Sequence, residues 1–320
     1  MRTIGGFLPL EIAPGFGACH PGAAALASGR ACWHVILRTC RPSHVLVPFY
    51  VCDAVLQPLY ATGTPFTFYQ ITESFQPDIE GPEPGELMLV VNYFWLLTSF
   101  VAAFADSHPG RVVVDDTQAF FRRGNPDVWS FNSARKFLGV PDGGFLYGPA
   151  AGIEELPPSD SADCDHLLTR LAGNDRRAWE EFKEHEARIG IEPRAMSVVT
   201  ARLLGATDMS RARCRRRSNF EALHRRLAPI NTIALSLDMA PADEGPMCYP
   251  FLPATDVDRQ ALSERGVFVP MLWPEIECRQ DPGFGRERLI ARRLLPLPID
   301  HRYGPDDMNE LCEALFQVRS

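Results

Sequence analysis

Two short, nearly uninterrupted apolar runs do most to limit what this chain can fold into: Leu87–Tyr93 (LMLVVNY) and the RVVV of Arg111–Val114. A strand with one wet face alternates apolar and polar residues. A run without that alternation, and too short for a buried helix, belongs to a strand covered on both faces. Such strands occur in parallel or mostly parallel sheets sandwiched between helices. The rest of the first 190 residues is spaced to match. Ala23–Leu26 and Ala31–Leu37 read as one helix broken at Ser28-Gly29. His44–Pro48 and Pro65–Ile71 read as strands flanking a helix over Asp53–Tyr60, and Gly144–Tyr147 closes the series.

Downstream the pattern changes. Leu156–Asp163, rich in Pro, Ser and Asp, reads as a surface connection. Helical spacing then covers Asp165–Leu171, Trp179–Ile189 and Ser210–Leu227, the last carrying Arg211, Arg213, Arg215, Arg216 and Arg217, a pattern expected of a solvated face or an interface rim. Strand patterns at Cys248–Leu252, Val267–Leu272 and Leu294–Ile299 alternate with helical ones at Val257–Arg265 and Pro305–Phe316. The expected organisation is a large α/β domain over residues 1–195, with an N-terminal arm over 1–20, and a small α+β domain over 196–320. A chain of 320 residues is long enough for both.

Composition narrows the function. A net charge of −8 and a pI near 5.5 disfavour general attraction to nucleic acid or to an anionic membrane. The opening MRTIGGFLPLEIAPG lacks the apolar run of a signal peptide, and no stretch is long enough to span a membrane. The nine cysteines are odd in number and form no CxxC pair, so a cytoplasmic protein with reduced thiols is expected. The eight histidines show no metal-ligand spacing with cysteines or acids, and no metal is expected. Gly15–Gly22 (GFGACHPG) imitates a dinucleotide fingerprint but follows no strand.

Three segments carry chemistry. The first is VVVDDTQAF, where a buried strand ends in Asp115 and Asp116. Ligands of open α/β sheets bind beyond the carboxyl ends of strands, and an acid there needs a positive partner such as a pyridinium nitrogen. Asp116 alone reads better as a helix N-cap. The second is WSFNSARKFLGVPDGGFLY, with Lys136 three residues after Ser133 and shortly before Gly143-Gly144. An uncharged lysine amine is a nucleophile for Schiff-base formation, and Gly-Gly permits close backbone approach. The companion Ser-Asp-Asn and Lys-Thr-Gly elements of penicillin-binding enzymes are missing, so their Ser-x-x-Lys chemistry is set aside. The third is Ser28-Gly29-Arg30, a small turn opening an apolar helix, whose N–H groups and positive dipole end suit a phosphate.

In this order the segments resemble pyridoxal-phosphate (PLP) enzymes of fold type I, the aspartate-aminotransferase fold, and more narrowly the DegT/DnrJ/StrS sugar-aminotransferase family. HVLVPFYVCDAVLQPLYATG, VVNYF, YPFL, GVFVPMLWP and LLPLPIDHRYGPDDM extend the resemblance over nearly the whole chain. It implies a large domain with a mostly parallel sheet, a small C-terminal α+β domain, PLP as cofactor, an amino donor and a keto or aldehyde acceptor as substrates, and a homodimer. It also implies roles: Lys136 as the Schiff-base lysine and proton carrier, Asp115 as the acid holding the pyridine nitrogen protonated, and Gln118 beside the ring. Ser28, Gly29 and Arg30 match the phosphate turn, with Ser133 or Ser130 adding a hydroxyl. Asn92 and Tyr93 lie at the same rim, toward the ring oxygen or the substrate. The family's stacking aromatic falls on Cys52 here, with Tyr50 and Tyr93 as alternatives. In place of a phosphate-binding Asn from the partner subunit stands Arg194. Arg122 or Arg123 would suit a substrate carboxylate. A PLP-dependent lyase or dehydratase, or a family member that binds without catalysing, remains the alternative.

Overall fold

A computed structural model describes residues 10–13, 15–149, 156–159, 163–235 and 244–318. Parts of the expected N-terminal arm (1–9 and 14) and of the expected connection (160–162) lie outside the described residues.

The apolar runs assemble into one seven-stranded sheet of order β1-β7-β6-β5-β4-β2-β3. Its strands are β1 (Ala24–Leu26), β2 (His44–Pro48), β3 (Phe66–Tyr69), β4 (Glu86–Val91), β5 (Val112–Asp115), β6 (Ser130–Phe131) and β7 (Gly144–Tyr147). β3, β2, β4, β5 and β6 run parallel, and β7 is antiparallel to both β6 and β1. All four residues of β5 and the last five of β4 are buried, which is why neither run alternates. Helices α1 (Gly29–Cys40), α2 (Asp53–Thr62) and α3 (Thr98–Ser107) occupy the crossovers between the parallel strands. α1 begins where Ser28 Oγ accepts from Ala31 N (3.1 Å) and ends where Arg41 turns left-handed (φ 46°). Trp33 and Ile36 of α1 are fully buried against the sheet, and each such side chain contributes about 1.5–3 kcal/mol by leaving water.

Several elements differ from expectation. Ala24–Leu26 is not helical: it is the short β1, whose backbone pairs with Gly144–Leu146 of β7, so Ser28 starts a helix rather than interrupting one. The two-residue β6 and the helix α3 were not expected. Val267–Leu272 is not a strand; the second sheet holds only β8 (Cys248–Phe251) and β9 (Leu295–Pro298), already paired with one another. β8 packs with α7 (Met209–Leu227), and α7 packs in turn with α10 (Pro305–Val318). Between the sheets come α4 (Asp165–Leu171), α5 (Asp175–Arg188) and α6 (Val198–Ala206). α8 (Arg259–Glu264) and α9 (Gly285–Arg293) complete the helices that follow. Among the described residues no helix is long and apolar enough to cross a membrane.

Candidate active site

The carboxyl end of β5 is where the chemistry-bearing segments meet. Asp115 is the last residue of the strand, in register with Val91 of β4 and Phe131 of β6. Its carboxylate is buried, and Oδ1 accepts the Thr117 backbone N–H at 2.8 Å. Burial pushes its pKa up, opposed by the Lys136 ammonium and by Thr117. Lys136 lies at the end of a single 3-10 turn, Ala134–Lys136, and its Nζ donates to Thr117 Oγ1 at 3.0 Å. Thr117 therefore connects the acid to the amine, with its backbone on one and its hydroxyl on the other. Sequence reasoning passed over Thr117, although it stands between the two residues singled out in Asp-x-x-Gln.

The N-terminus of α1 faces the same place. A Cβ built on Gly29 would touch Thr117 Cγ2 and Asn132 O, each at 3.3 Å. One built on Gly144 would stand 2.8 Å from the Ser28 carbonyl carbon and 2.9 Å from Gly29 N. Gly144 thus lets the β7 backbone lie directly under the turn, as the Gly-Gly pair suggested. Gly29 and Arg30 occupy the first turn of α1, where backbone N–H groups have no helical acceptor and the dipole end is positive. The Arg30 side chain turns elsewhere: it bonds Ile189 O (2.9 Å) and Gln57 Oε1 (3.2 Å) and pairs with Glu186 at 3.8 Å. Its expected part in the phosphate turn is left to its backbone.

The lysine segment is clamped from several sides. Ala134 N bonds Gly143 O, and Gly143, at φ +114°, donates to Ala27 O at 2.7 Å, joining this loop to the residue before Ser28. Asp142 accepts from Ser197 N (2.9 Å) and Ser197 Oγ (2.8 Å) at the start of α6, and His185 of α5 bonds Pro141 O at 2.7 Å. Arg216, within the basic run expected to face solvent, is buried; its Nη2 donates to Phe137 O at 2.8 Å and its guanidinium lies over the Phe137 ring. A buried arginine with three carbonyl partners (Phe137, Pro246 and Met247) is a clamp on the residue after Lys136, not a surface charge.

Asp116 belongs to a different network. It is no helix cap: it pairs with Arg122 at 2.5 Å and accepts from Asn92 Nδ2 at 2.9 Å. Asn92 also donates to Thr98 Oγ1 (3.0 Å) and accepts from Leu97 N (3.1 Å). These bonds occupy the Asn92 amide and one nitrogen of Arg122. Gln118, buried, accepts the Phe94 N–H at 2.7 Å, stabilising a turn in which Phe94 and Trp95 both have positive φ (56° and 78°).

Of the two serines, Ser130 faces away from the phosphate turn. Phe131 stacks on Trp33 of α1, so Ser130, one residue earlier on β6, points to the opposite face, toward Gly124 and Tyr147. Ser133 opens the lysine turn, half-buried and making no capping bond. Among the stacking alternatives, Tyr50 and Tyr93 are fully buried in an aromatic group with Phe75 and Trp273, and Tyr93 Oη donates to Tyr50 O at 2.5 Å. Cys52, half-buried at the start of α2, is the residue whose thiol feels both Lys136 and Asp115; burial pushes its pKa up, opposed chiefly by the lysine. Arg194 Nη1 reaches Pro158 O at 3.4 Å.

No family model and no curated protein sequence matches the chain. Solved structures do. The chain superposes on the sugar aminotransferase CalS13 from Micromonospora echinospora with a TM-score of 0.63, 14% identity, and coverage of 94% of this chain and 88% of that one. For a DegT DnrJ EryC1 StrS aminotransferase from Brucella abortus the values are 0.60, 14%, 92% and 85%. For the PLP-form of Spr1654 from Streptococcus pneumoniae they are 0.63, 13%, 94% and 88%. At such identities the likeness establishes the fold, that of the PLP-dependent sugar aminotransferases, over nearly the whole chain.

Proposed function

We propose that the chain is a PLP-dependent aminotransferase that moves an amino group from a small-molecule donor to a keto or aldehyde acceptor, with Lys136 as the covalent anchor of the cofactor. The observation carrying this reading is the convergence of Lys136 and Asp115 on Thr117 at the mouth of β5, beside the start of α1. The residues present fit the cofactor. A backbone cradle that a Cβ on Gly144 would fill lies under the α1 N-terminus, and a buried carboxylate waits at the strand end where a cationic ring nitrogen would compensate it.

The N–H groups of Gly29 and Arg30, with Ser28 and Ser133, would hold the phosphate. Asp115 would keep the ring nitrogen protonated. Cys52 would lie against the ring in place of an aromatic residue. Bound PLP supplies the electron-withdrawing ring that stabilises a carbanion at the substrate carbon. Lys136 Nζ would carry the proton lost and regained at that carbon, acting as base and then acid. Thr117 Oγ1 would fix the amine when it is not bonded to the cofactor. Asn92 and Gln118 act through the turn they hold and not by contact. Because the superposed CalS13 is a sugar aminotransferase, a sugar-type carbonyl is the acceptor class to test first. We further take residues 1–195 as the cofactor-binding domain, 196–320 as the small domain, and the working form as a homodimer.

The test is an absorption spectrum with added PLP, followed by borohydride reduction and peptide mapping. A visible band with pyridoxyl fixed on Lys136, both lost together with turnover in Lys136→Ala, is expected. A folded protein without band or trapping would overturn the reading and favour a binding protein. Ammonia release without accumulation of the amine form of the cofactor would favour a lyase.

A further inference from the structure

The histidine spacing argued against a metal, but the fold brings together ligands that are distant in sequence. Asp163, His166 and His185 each present one ligand atom within 4.8 Å of the others. Asp163 and His166, three residues apart, stand at the start of α4, and His185 comes from α5, the other arm of the same hairpin. Both imidazoles are buried, at 5% and 7% exposure, and stack with centroids 4.5 Å apart.

The protonation pattern makes the cluster more than a chance meeting. His185 Nε2 lies 2.7 Å from Pro141 O, a carbonyl that can only accept, so the ring proton is on Nε2. In the neutral form of the ring, Nδ1 then carries a lone pair. It has no hydrogen-bond partner, and it faces Asp163 Oδ2, also a lone-pair atom, at 3.5 Å. Buried His166 Nδ1 likewise has no partner. Two imidazoles and a carboxylate whose ligand atoms lie this close together offer a cation a ready donor set. A histidine that gives its far N–H to a backbone carbonyl, fixing tautomer and ring orientation, is the usual companion of metal ligation. Tetrahedral ligands about 2.0–2.1 Å from zinc stand about 3.4 Å apart, which the His185–Asp163 pair already meets.

We propose that Asp163, His166 and His185 form a binding site for a zinc-type divalent cation. Two imidazoles and one carboxylate select such an ion over magnesium or calcium. Half-exposed Asp163 leaves the fourth position to water. Arg188, mostly exposed, pairs with the same carboxylate and competes with the ion. Through His185 and Pro141 the ion would tie the α4–α5 hairpin to the loop that follows Lys136.

The probe is Co2+ alone, titrated into the metal-stripped apoprotein, with Zn2+ as competitor. The expected result is one equivalent of Co2+ giving visible d–d absorption, displaced by Zn2+, without the near-ultraviolet charge transfer of thiolate ligands. His166→Gln and His185→Gln should each weaken binding at least tenfold, and Arg188→Ala should strengthen it several-fold. Zn2+ should raise the Tm of the wild-type protein, so that the proposal does not depend on the variants folding. Absence of stoichiometric binding and of any Tm rise, unchanged affinity in folded histidine variants, or a thiolate band would each overturn it.

Discussion

Two polar regions lie side by side at the end of β5, and they are built in opposite ways. On the Asp116 side, Arg122, Asn92 and Thr98 exchange their hydrogen bonds among themselves, and Glu244 joins through Trp95 Nε1 at 2.7 Å. On the Asp115 side, one carboxylate oxygen accepts a backbone N–H, the lysine amine rests on a single hydroxyl, and the first turn of α1 presents its N–H groups. Adjacent acids of equal burial thus differ in kind. Charge and depth do not separate the two; what does is the bonding capacity that the Asp115 side leaves unused.

Exchanging the two roles would break this comparison. Asp115→Asn should lower kcat/KM about a hundredfold or more with little loss of folding stability, because the amide still accepts from Thr117 N. Arg122→Ala should do the reverse, leaving Asp116 buried and unpaired at a cost of about 3–5 kcal/mol in urea unfolding. If both variants lost stability alike, Asp115 would be a structural acid.

His20 sharpens the comparison from behind the site. It is buried between Phe120 and Phe145, with Nδ1 2.8 Å from Tyr147 Oη, and burial lowers its pKa to about 4 from 6.5. The unfolded chain therefore binds a proton through that window that the folded chain refuses. The stability tied to the neutral ring is fully present above pH 6.5 and is lost as pH falls to about 4. The full difference is about 3 kcal/mol. In His20→Gln the slope of Tm against pH in that window should flatten; an unchanged slope would show that the ring is not held neutral. Thr117→Val should have the smallest effect, about 1 kcal/mol in transition-state stabilisation with Tm unchanged. A loss as large as that of Asp115→Asn would make the hydroxyl a participant in proton transfer.

Much of this was legible in the sequence, for identifiable reasons. β4 and β5 could be read because strands buried on both faces leave an apolar run. That Asp115 and Lys136 meet at one strand end could be expected from their order relative to a Ser-Gly turn. β1 and β6, of three and two residues, are too short for any periodicity to register. Val267–Leu272 has strand composition but pairs with no described strand, and pairing is tertiary. Arg216 was hidden in a charged run, since one buried arginine among solvated neighbours has no local signature. Arg30 was placed on the right turn, but its side-chain direction depends on Glu186 and Ile189, more than 150 residues away.

The bond from Arg216 to the Phe137 carbonyl spans 79 residues. A ribosome adding about 5–20 residues per second needs on the order of 4–16 s to cover that distance. For most of that interval, once β7 has been made, the nascent chain contains every strand of the large sheet, while the segment bearing Lys136 lacks the Arg216 clamp. The last clamp on the Lys136 segment is therefore set only after the large sheet has been made, and a chain released before α7 would have its strands complete and that clamp missing.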